Sequence, residues 1–154
     1  MSLDKKILVI NDLHLDFIDT LETEGFEIDY RPEISKEEVL DIISGYHGLV
    51  VRSKMYIDDT FLQKANHLEF IARAGAGIDN IDENAVSKTA IQIFNAPEGN
   101  RDAVGEHAIG MLLSLFNNIH KGHTEVTKGI WDREGNRGLE LSSKTVGVFG
   151  YGNT

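Results

Sequence analysis

The chain has 154 residues, a formal net charge of −10 at pH 7 and no cysteine. This length suffices for one domain with a sizeable core, or for a small domain followed by part of another. The acidic balance argues against broad binding to nucleic acid or to an anionic membrane, because both need a basic surface. The absence of cysteine excludes a disulfide framework, a thiolate zinc site and a cysteine nucleophile.

The start of the chain leads directly into a strand-like apolar run and lacks the h-region of a signal peptide. No apolar run in the sequence approaches the roughly 20 residues that a membrane-spanning helix needs. We therefore expect a cytoplasmic protein with no membrane partner and no nucleic-acid partner.

Short β-branched runs alternate with helical patterns through the first part of the chain. The apolar runs predict strands near residues 6–10, 27–30, 48–52, 69–72 and 91–94. Three of the segments between them begin at a capping residue, namely Ser35, Asp58 and Asp82. The alternation predicts right-handed βαβ units. We expect a flavodoxin-like α/β domain over residues 4–95, with a parallel five-stranded sheet in the order 2-1-3-4-5.

A long linking helix is predicted after Pro97, from about Arg101 to Ile119, with Asn100 as its N-cap. Its apolar residues cover most of the circumference, which a free surface helix cannot tolerate in water. We therefore expect it to be buried on several sides and to form a homodimer interface, because twofold association covers such a surface simply. The alternative is that the helix folds back on the preceding domain.

The remaining sequence, within residues 96–154, predicts the start of a Rossmann domain. A polar stretch, with Trp131 as its one large anchor, precedes a predicted strand at residues 145–149. That strand leads into Gly150-Tyr151-Gly152, which matches the first two glycines of a dinucleotide fingerprint. The third glycine and the ribose-binding acid would lie beyond residue 154. A Gly-x-Gly of this kind, taken alone, is equally typical of an ordinary glycine turn.

Two features that favour anion binding are predicted to meet at one edge of the sheet. Strands 3 and 4 are neighbours in the predicted order, so their carboxyl ends lie together where such sheets bind ligands. Strand 3 ends at Arg52-Ser53, and the guanidinium can bind a carboxylate or phosphate through two hydrogen bonds. Strand 4 leads into a loop whose successive N–H groups can form an anion-binding nest, at Gly75, Ala76 and Gly77. The alternative is a surface arginine beside a plain glycine turn.

Four motifs, in this order, resemble the D-isomer-specific 2-hydroxyacid dehydrogenase family. They cover essentially the whole chain and are specific in combination, although each alone is not. The motifs are Arg52-Ser53, the segment from Ala72 through Arg73 to Asp82, Asn95-Ala96-Pro97-Glu98-Gly99-Asn100 with Val104-Gly105-Glu106, and Gly129-Ile130-Trp131. Gly105 and Thr154 depart from the residues that are usual in the family.

The resemblance implies hydride transfer between a small anionic 2-hydroxy or 2-oxo acid and NAD. It implies that the substrate is held by Arg52, Ser53, Gly75, Ala76 and Gly77. It also implies cofactor contacts at Ala76, Asn100, Gly150 and Gly152. The catalytic arginine, glutamate and histidine of the family are expected beyond residue 154. The 154-residue chain alone is therefore expected to be inactive and not to bind NAD.

The choice of substrate stays open at this point. Arg52-Ser53-Lys54 and the Asn-Ala-Pro segment favour phosphoglycerate, whereas glyoxylate, hydroxypyruvate or lactate are alternatives within the family. A non-catalytic binding module or a truncated remnant is the alternative outside it. No metal site is expected, because His120 and His123 have no third ligand placed beside them.

Overall fold

A computed structural model of the chain describes residues 4–153. The chain divides into two compact units, of which the first ends at Pro97 and the second begins at Glu98. We call them the N-terminal unit and the C-terminal unit and describe each by itself. Among residues 4–153, no helix is long and apolar enough to cross a membrane.

The N-terminal unit contains a five-stranded sheet in which every pair of neighbouring strands is parallel. Its order is β2-β1-β3-β4-β5, which confirms the predicted topology. All five predicted strands are present, with bounds close to the predicted ones. They are β1 Lys6–Val9, β2 Glu27–Tyr30, β3 Gly48–Val51, β4 Phe70–Arg73 and β5 Gln92–Asn95.

Helices connect the strands as the βαβ pattern requires. They are α1 Leu15–Thr23, α2 Lys36–Ile42, α3 Asp59–Lys64 and α4 Glu83–Val86, and a 3₁₀ turn at Ile43–Gly45 follows α2. The three predicted caps are confirmed. Ser35 forms a capping box with Glu38, while the carboxylates of Asp58 and Asp82 accept hydrogen bonds from the first turns of α3 and α4.

The core lies on both faces of the sheet, because side chains alternate along each strand. One face packs Leu49, Val51 and Ile71 against residues of α2, α3 and α4, among them Phe61. The other face packs Val9 and Val50 against Ile18 of α1. Every residue of β3 is buried, as expected for a central parallel strand that is covered on both sides.

The C-terminal unit contains two helices, α5 Glu98–Phe116 and α6 Ile119–Thr127. The predicted long helix is confirmed, but it begins earlier and ends earlier than predicted. Asn118 has a left-handed backbone with φ of 52°, which separates the two helices. The prediction that Asn100 caps the helix is wrong, because Asn100 lies inside the first turn of α5. Pro97 explains the earlier start, since its fixed φ favours the beginning of a helix.

Two further expectations for the C-terminal unit are wrong. Residues 145–149 do not form a strand. Their β-branched composition favours an extended backbone, but a strand also needs a neighbour to accept its hydrogen bonds, and no described segment pairs with it. Trp131 is not an anchor, because its side chain is 83% exposed.

Candidate functional site

The carboxyl ends of three neighbouring strands form the candidate site. The register pairs Val51 of β3 with Arg73 of β4, and Arg73 with Asn95 of β5. The ladder continues for one step, because the Ala74 N–H donates to the Val51 carbonyl at 2.8 Å. The loops after β3, β4 and β5 therefore begin side by side at this edge.

The loop after β3 presents Arg52 and Ser53, and both are exposed. The Arg52 N–H donates to Asn11 Oδ1 at 2.8 Å, so its main chain is held while its guanidinium is free to reach a ligand. Lys54 behaves differently. Its ammonium group donates to the carbonyls of Pro32 and Ile34, so it is already hydrogen-bonded within the chain.

Gly75, the first residue of the predicted anion-binding loop, has a conformation that only glycine adopts easily. Its φ is 154°, and a Cβ at this position would lie 1.8 Å from Arg73 Nη1. Its N–H donates to the Arg73 carbonyl at 2.8 Å. The expectation of three available amides therefore needs correction, because the first of them is already used within the chain.

The next two amides remain available. Within residues 4–153, neither the Ala76 N–H nor the Gly77 N–H donates a hydrogen bond. The loop carbonyls are engaged instead, since Asn95 Nδ2 donates to the Ala76 oxygen at 2.6 Å and the Ala96 N–H donates to the Gly75 oxygen at 3.0 Å. Two unpaired N–H groups on a fixed loop are suited to binding an anion.

Arg73 is a second cation of the site and was not among the predicted site residues. Its guanidinium lies directly against Gly75, and its buried Nε has no hydrogen-bond partner among the described residues. A buried donor without a partner is unfavourable, so the guanidinium is incompletely satisfied within the described residues. The signal was its place at the end of a strand next to β3, on the same edge as Arg52.

One carboxylate opposes these two cations. Asp79 folds back on the loop, so that its Oδ2 lies 2.8 Å from where a Cβ on Gly77 would be. Asp79 is exposed, so solvent screens its charge in part. The local balance of Arg52, Arg73 and Asp79 is still positive on a chain whose net charge is −10.

The residues predicted to contact a cofactor are divided between the two units. Ala76 belongs to the anion-binding loop of the N-terminal unit. Asn100 lies exposed in the first turn of α5. Gly150 has φ of 83°, and neither it nor Gly152 has any atom within 4 Å of where a Cβ would be. The positive φ of Gly150 favours a glycine, as the tight turn of a dinucleotide fingerprint requires at its first glycine.

No group of three or more His, Cys, Asp or Glu side chains among residues 4–153 is arranged to hold a metal ion. His120 and His123 both lie in α6, one turn apart.

Comparison with known proteins places this chain in a family. The chain is 37% identical over 147 residues to the D-3-phosphoglycerate dehydrogenase of Archaeoglobus fulgidus and 40% identical over the same length to that of Methanocaldococcus jannaschii. The matches cover 96% of this chain but only 28% of each relative.

A solved structure supports the same placement. The NAD⁺-bound 3-phosphoglycerate dehydrogenase of Entamoeba histolytica superposes with a TM-score of 0.63 at 33% identity, covering 76% of this chain and 40% of that one. The model of the family described as "D-isomer specific 2-hydroxyacid dehydrogenase, catalytic domain" matches residues 7–151 of this chain. The chain therefore belongs to the D-isomer-specific 2-hydroxyacid dehydrogenase family.

Proposed function

We propose that this chain is the substrate-binding part of an NAD-dependent 3-phosphoglycerate dehydrogenase, a cytoplasmic enzyme of serine biosynthesis. In this proposal residues 4–95 form the substrate-binding domain and residues 96–154 begin the NAD-binding domain. The observation that carries the proposal is the convergence of Arg52, Arg73 and the unpaired amides of Ala76 and Gly77 on one sheet edge.

The chemistry of this edge suits a small acid with more than one anionic group. Guanidinium groups bind carboxylates and phosphates through charge-assisted hydrogen bonds, and main-chain N–H groups bind their oxygens without adding bulk. Ser53 can donate a further hydrogen bond from its hydroxyl. Substrate held by Arg52, Arg73, Ala76 and Gly77 would have its polar end fixed before any chemistry takes place.

NAD, when bound, accepts the hydride that leaves C2 of the hydroxy acid. The residues we assign to it are Ala76, Asn100, Gly150 and Gly152. The positive φ of Gly150 supports its assignment to the tight turn beside the pyrophosphate.

The acid–base residues that the family resemblance implies lie outside these 154 residues. We therefore expect the 154-residue chain to show no dehydrogenase activity and negligible NAD affinity on its own. The purified chain assayed for NADH formation tests this directly, and measurable turnover would contradict it.

The same proposal includes a homodimer that forms through α5. No residue of α5 is buried in the single chain, and Met111 and Leu115 are 57% and 73% exposed. A specific interface of the usual size covers about 800 Å² on each partner. Light scattering on the purified chain tests this association, and a monomer mass at micromolar concentration would rule it out.

Arg52→Ala in the full-length protein that carries this chain is the main test of the anion site. Loss of charge-assisted hydrogen bonds that contribute about 1.5–3 kcal/mol should lower kcat/KM for 3-phosphoglycerate by roughly 10–150-fold. Lys64→Ala is the matched control, because this exposed cation lies at the far end of α3 and away from the site. Unchanged kcat/KM in the Arg52 variant would refute the site.

Asp79→Asn gives a change of opposite sign at the same place. It removes the one carboxylate that lies against Gly77, so binding of 3-phosphoglycerate should tighten by about 2–5-fold at low salt. The gain should shrink as salt is added, because the side chain is exposed. Weaker binding in this variant would indicate that no anion occupies the loop.

A substrate panel separates the alternatives. We would measure kcat/KM for the oxidation of 3-phosphoglycerate and lactate and for the reduction of glyoxylate and hydroxypyruvate. The acid with the highest value is the preferred substrate. If the full-length protein binds one of these acids but oxidises or reduces none, a non-catalytic binding module is the better description.

A further inference from the structure

The anion-binding loop is joined to the end of β5 by two hydrogen bonds. Asn95 Nδ2 donates to the Ala76 carbonyl at 2.6 Å, and the Ala96 N–H donates to the Gly75 carbonyl at 3.0 Å. Two consecutive peptide groups of the loop therefore have their carbonyls directed at β5.

These bonds also determine where the unpaired amides point. In a trans peptide group the carbonyl and the N–H point in opposite directions within one plane, and residues 4–153 contain no cis peptide bond. The Gly75 carbonyl shares its peptide group with the Ala76 N–H, and the Ala76 carbonyl shares one with the Gly77 N–H. Both unpaired N–H groups are therefore directed away from β5.

Asn11 has a corresponding relation to Arg52. The ladder between β1 and β3 ends with the Ile10 N–H donating to the Val50 carbonyl at 3.1 Å. In a parallel ladder the Arg52 N–H would next donate to a main-chain carbonyl at the end of β1. Asn11 Oδ1 takes that place at 2.8 Å. The main chain at Arg52 is thus held in line with β3 beyond the end of the strand.

We propose that Asn95 and Asn11 are positioning residues of the anion site. Asn95 orients the amides of Ala76 and Gly77, and Asn11 fixes the main chain that carries Arg52. This inference rests on the proposed function and deepens it. A neutral carboxamide suits both places, because it makes the hydrogen bond without adding negative charge beside an anionic ligand.

The first test uses Asn95→Ala and Asn11→Ala in the 154-residue chain. Each is titrated with D-3-phosphoglycerate while the amide signals of Ala76 and Gly77 are followed by NMR. Loss of one fixed contact to a charged group should raise Kd by about 10-fold in each variant. In the full-length enzyme the same variants should raise KM more than they lower kcat, because they loosen the hold on the substrate's anionic end.

Aspartate variants provide a matched pair with the same change in charge. Asn11→Asp keeps an acceptor for the Arg52 N–H, whereas Asn95→Asp loses the donor that binds the Ala76 carbonyl. Asn95→Asp should therefore bind D-3-phosphoglycerate about 10-fold more weakly than Asn11→Asp. Equal affinities would show that only the added charge matters and would overturn the assignment of Asn95.

Asn80→Ala is the control for a general loss of stability. Asn80 Nδ2 donates to the Met55 carbonyl at 3.1 Å at the same edge, so the substitution removes the same kind of bond. The loop stays linked without it, because the Ile57 N–H donates to the Asn80 carbonyl at 2.8 Å. We expect a lower midpoint of unfolding with an unchanged Kd.

The outcomes separate this inference from the proposed function. If the unmodified chain does not bind D-3-phosphoglycerate, the proposed function fails, and the inference fails with it. If the unmodified chain binds but Asn95→Ala and Asn11→Ala bind equally well, the inference alone is overturned. Faster hydrogen exchange at the Ala96 N–H, which donates to the Gly75 carbonyl, would support the orienting role when it is measured without ligand in a folded Asn95→Ala variant.

Discussion

The two units of the chain differ in what their apolar residues contact. Every buried apolar residue of the described chain lies between Ile7 and Val86, and α5 and α6 have none. The C-terminal unit is not poor in apolar residues, since Met111, Leu115 and Ile119 are each more than half exposed. The units therefore differ in how far their apolar side chains are buried, and not in whether they have apolar side chains.

Architecture explains this difference. Each βαβ segment of the N-terminal unit supplies a strand and a helix that cover each other, and the parallel sheet joins them into one core. The helices α5 and α6 are consecutive and, among residues 4–153, pack against no sheet of their own unit, so they cannot bury all of each other's apolar side chains. A helix that is apolar around most of its circumference needs cover from several sides.

The largest expected effect comes from Phe61→Ala. Phe61 of α3 is 1% exposed and packs into the larger of the two core clusters. Removal of a buried phenyl ring loses its transfer free energy and leaves a cavity, which together cost about 3–5 kcal/mol in the free energy of unfolding. Urea denaturation followed by circular dichroism measures this change. Ile71→Val, a milder variant of the same core, should cost about 0.5–1.5 kcal/mol.

Leu115→Ala is the matched change in the C-terminal unit. Leu115 is 73% exposed in the single chain, so at concentrations where the chain is monomeric its truncation should change the free energy of unfolding by less than about 0.5 kcal/mol. A cost of several kcal/mol in the monomer would break the comparison, because it would mean that α5 is covered within the single chain. A cost that appears only where the chain is dimeric would agree with the proposed homodimer.

The N-terminal unit was predictable because local and tertiary signals agree there. Buried parallel strands give short continuous apolar runs, as in Gly48–Val51, and capping residues mark where the helices begin. The strand expected at 145–149 shows the opposite case. Its composition favours an extended backbone, but a strand forms only when a neighbour accepts its hydrogen bonds, and composition does not report the neighbour.

The candidate site was predictable in part for the same reason. Arg52 and the glycine loop were found because strand order brings their positions to one edge. The roles of Arg73, Asn95 and Asn11 were missed, because each depends on a contact with a residue far away in the chain or on a backbone turn. The use of the Gly75 amide inside the chain was missed likewise, because it depends on the local φ and ψ angles.

Tyr46 offers a test through alkaline pH. Burial and, secondarily, the hydrogen bond to Asp29 raise the pKa of Tyr46 to about 12. A raised pKa in the folded state means that the stabilisation is fully present below the ordinary pKa near 10 and is lost as pH rises towards 12. The loss should be about 2–3 kcal/mol of the free energy of unfolding. Tyr46→Phe should reduce this alkaline decline without abolishing it, because the hydrogen bond to Asp12 raises the pKa of Tyr30 as well.

Tyr151→Phe is the control in the C-terminal unit. Its ring is 97% exposed, so the hydroxyl meets solvent in the folded and the unfolded chain alike. Urea midpoints between pH 9 and 12 should therefore be the same as for the unmodified chain. If both variants alter the alkaline decline equally, the burial of Tyr46 is not its cause.

The last comparison takes one glycine from each unit, and the two expected changes in the free energy of unfolding differ in sign. Gly75→Ala forces a side chain into a φ of 154° and against Arg73, which should cost about 1–3 kcal/mol and weaken anion binding. Gly105→Ala in α5 meets no atom within 4 Å, so it should stabilise the helix by about 0.5–1 kcal/mol. Hydrogen exchange that resolves the two units measures both changes. A stabilising Gly75→Ala would mean that the loop is not held in this conformation, and then neither Arg73 nor the amides of Ala76 and Gly77 would be preorganised for an anion.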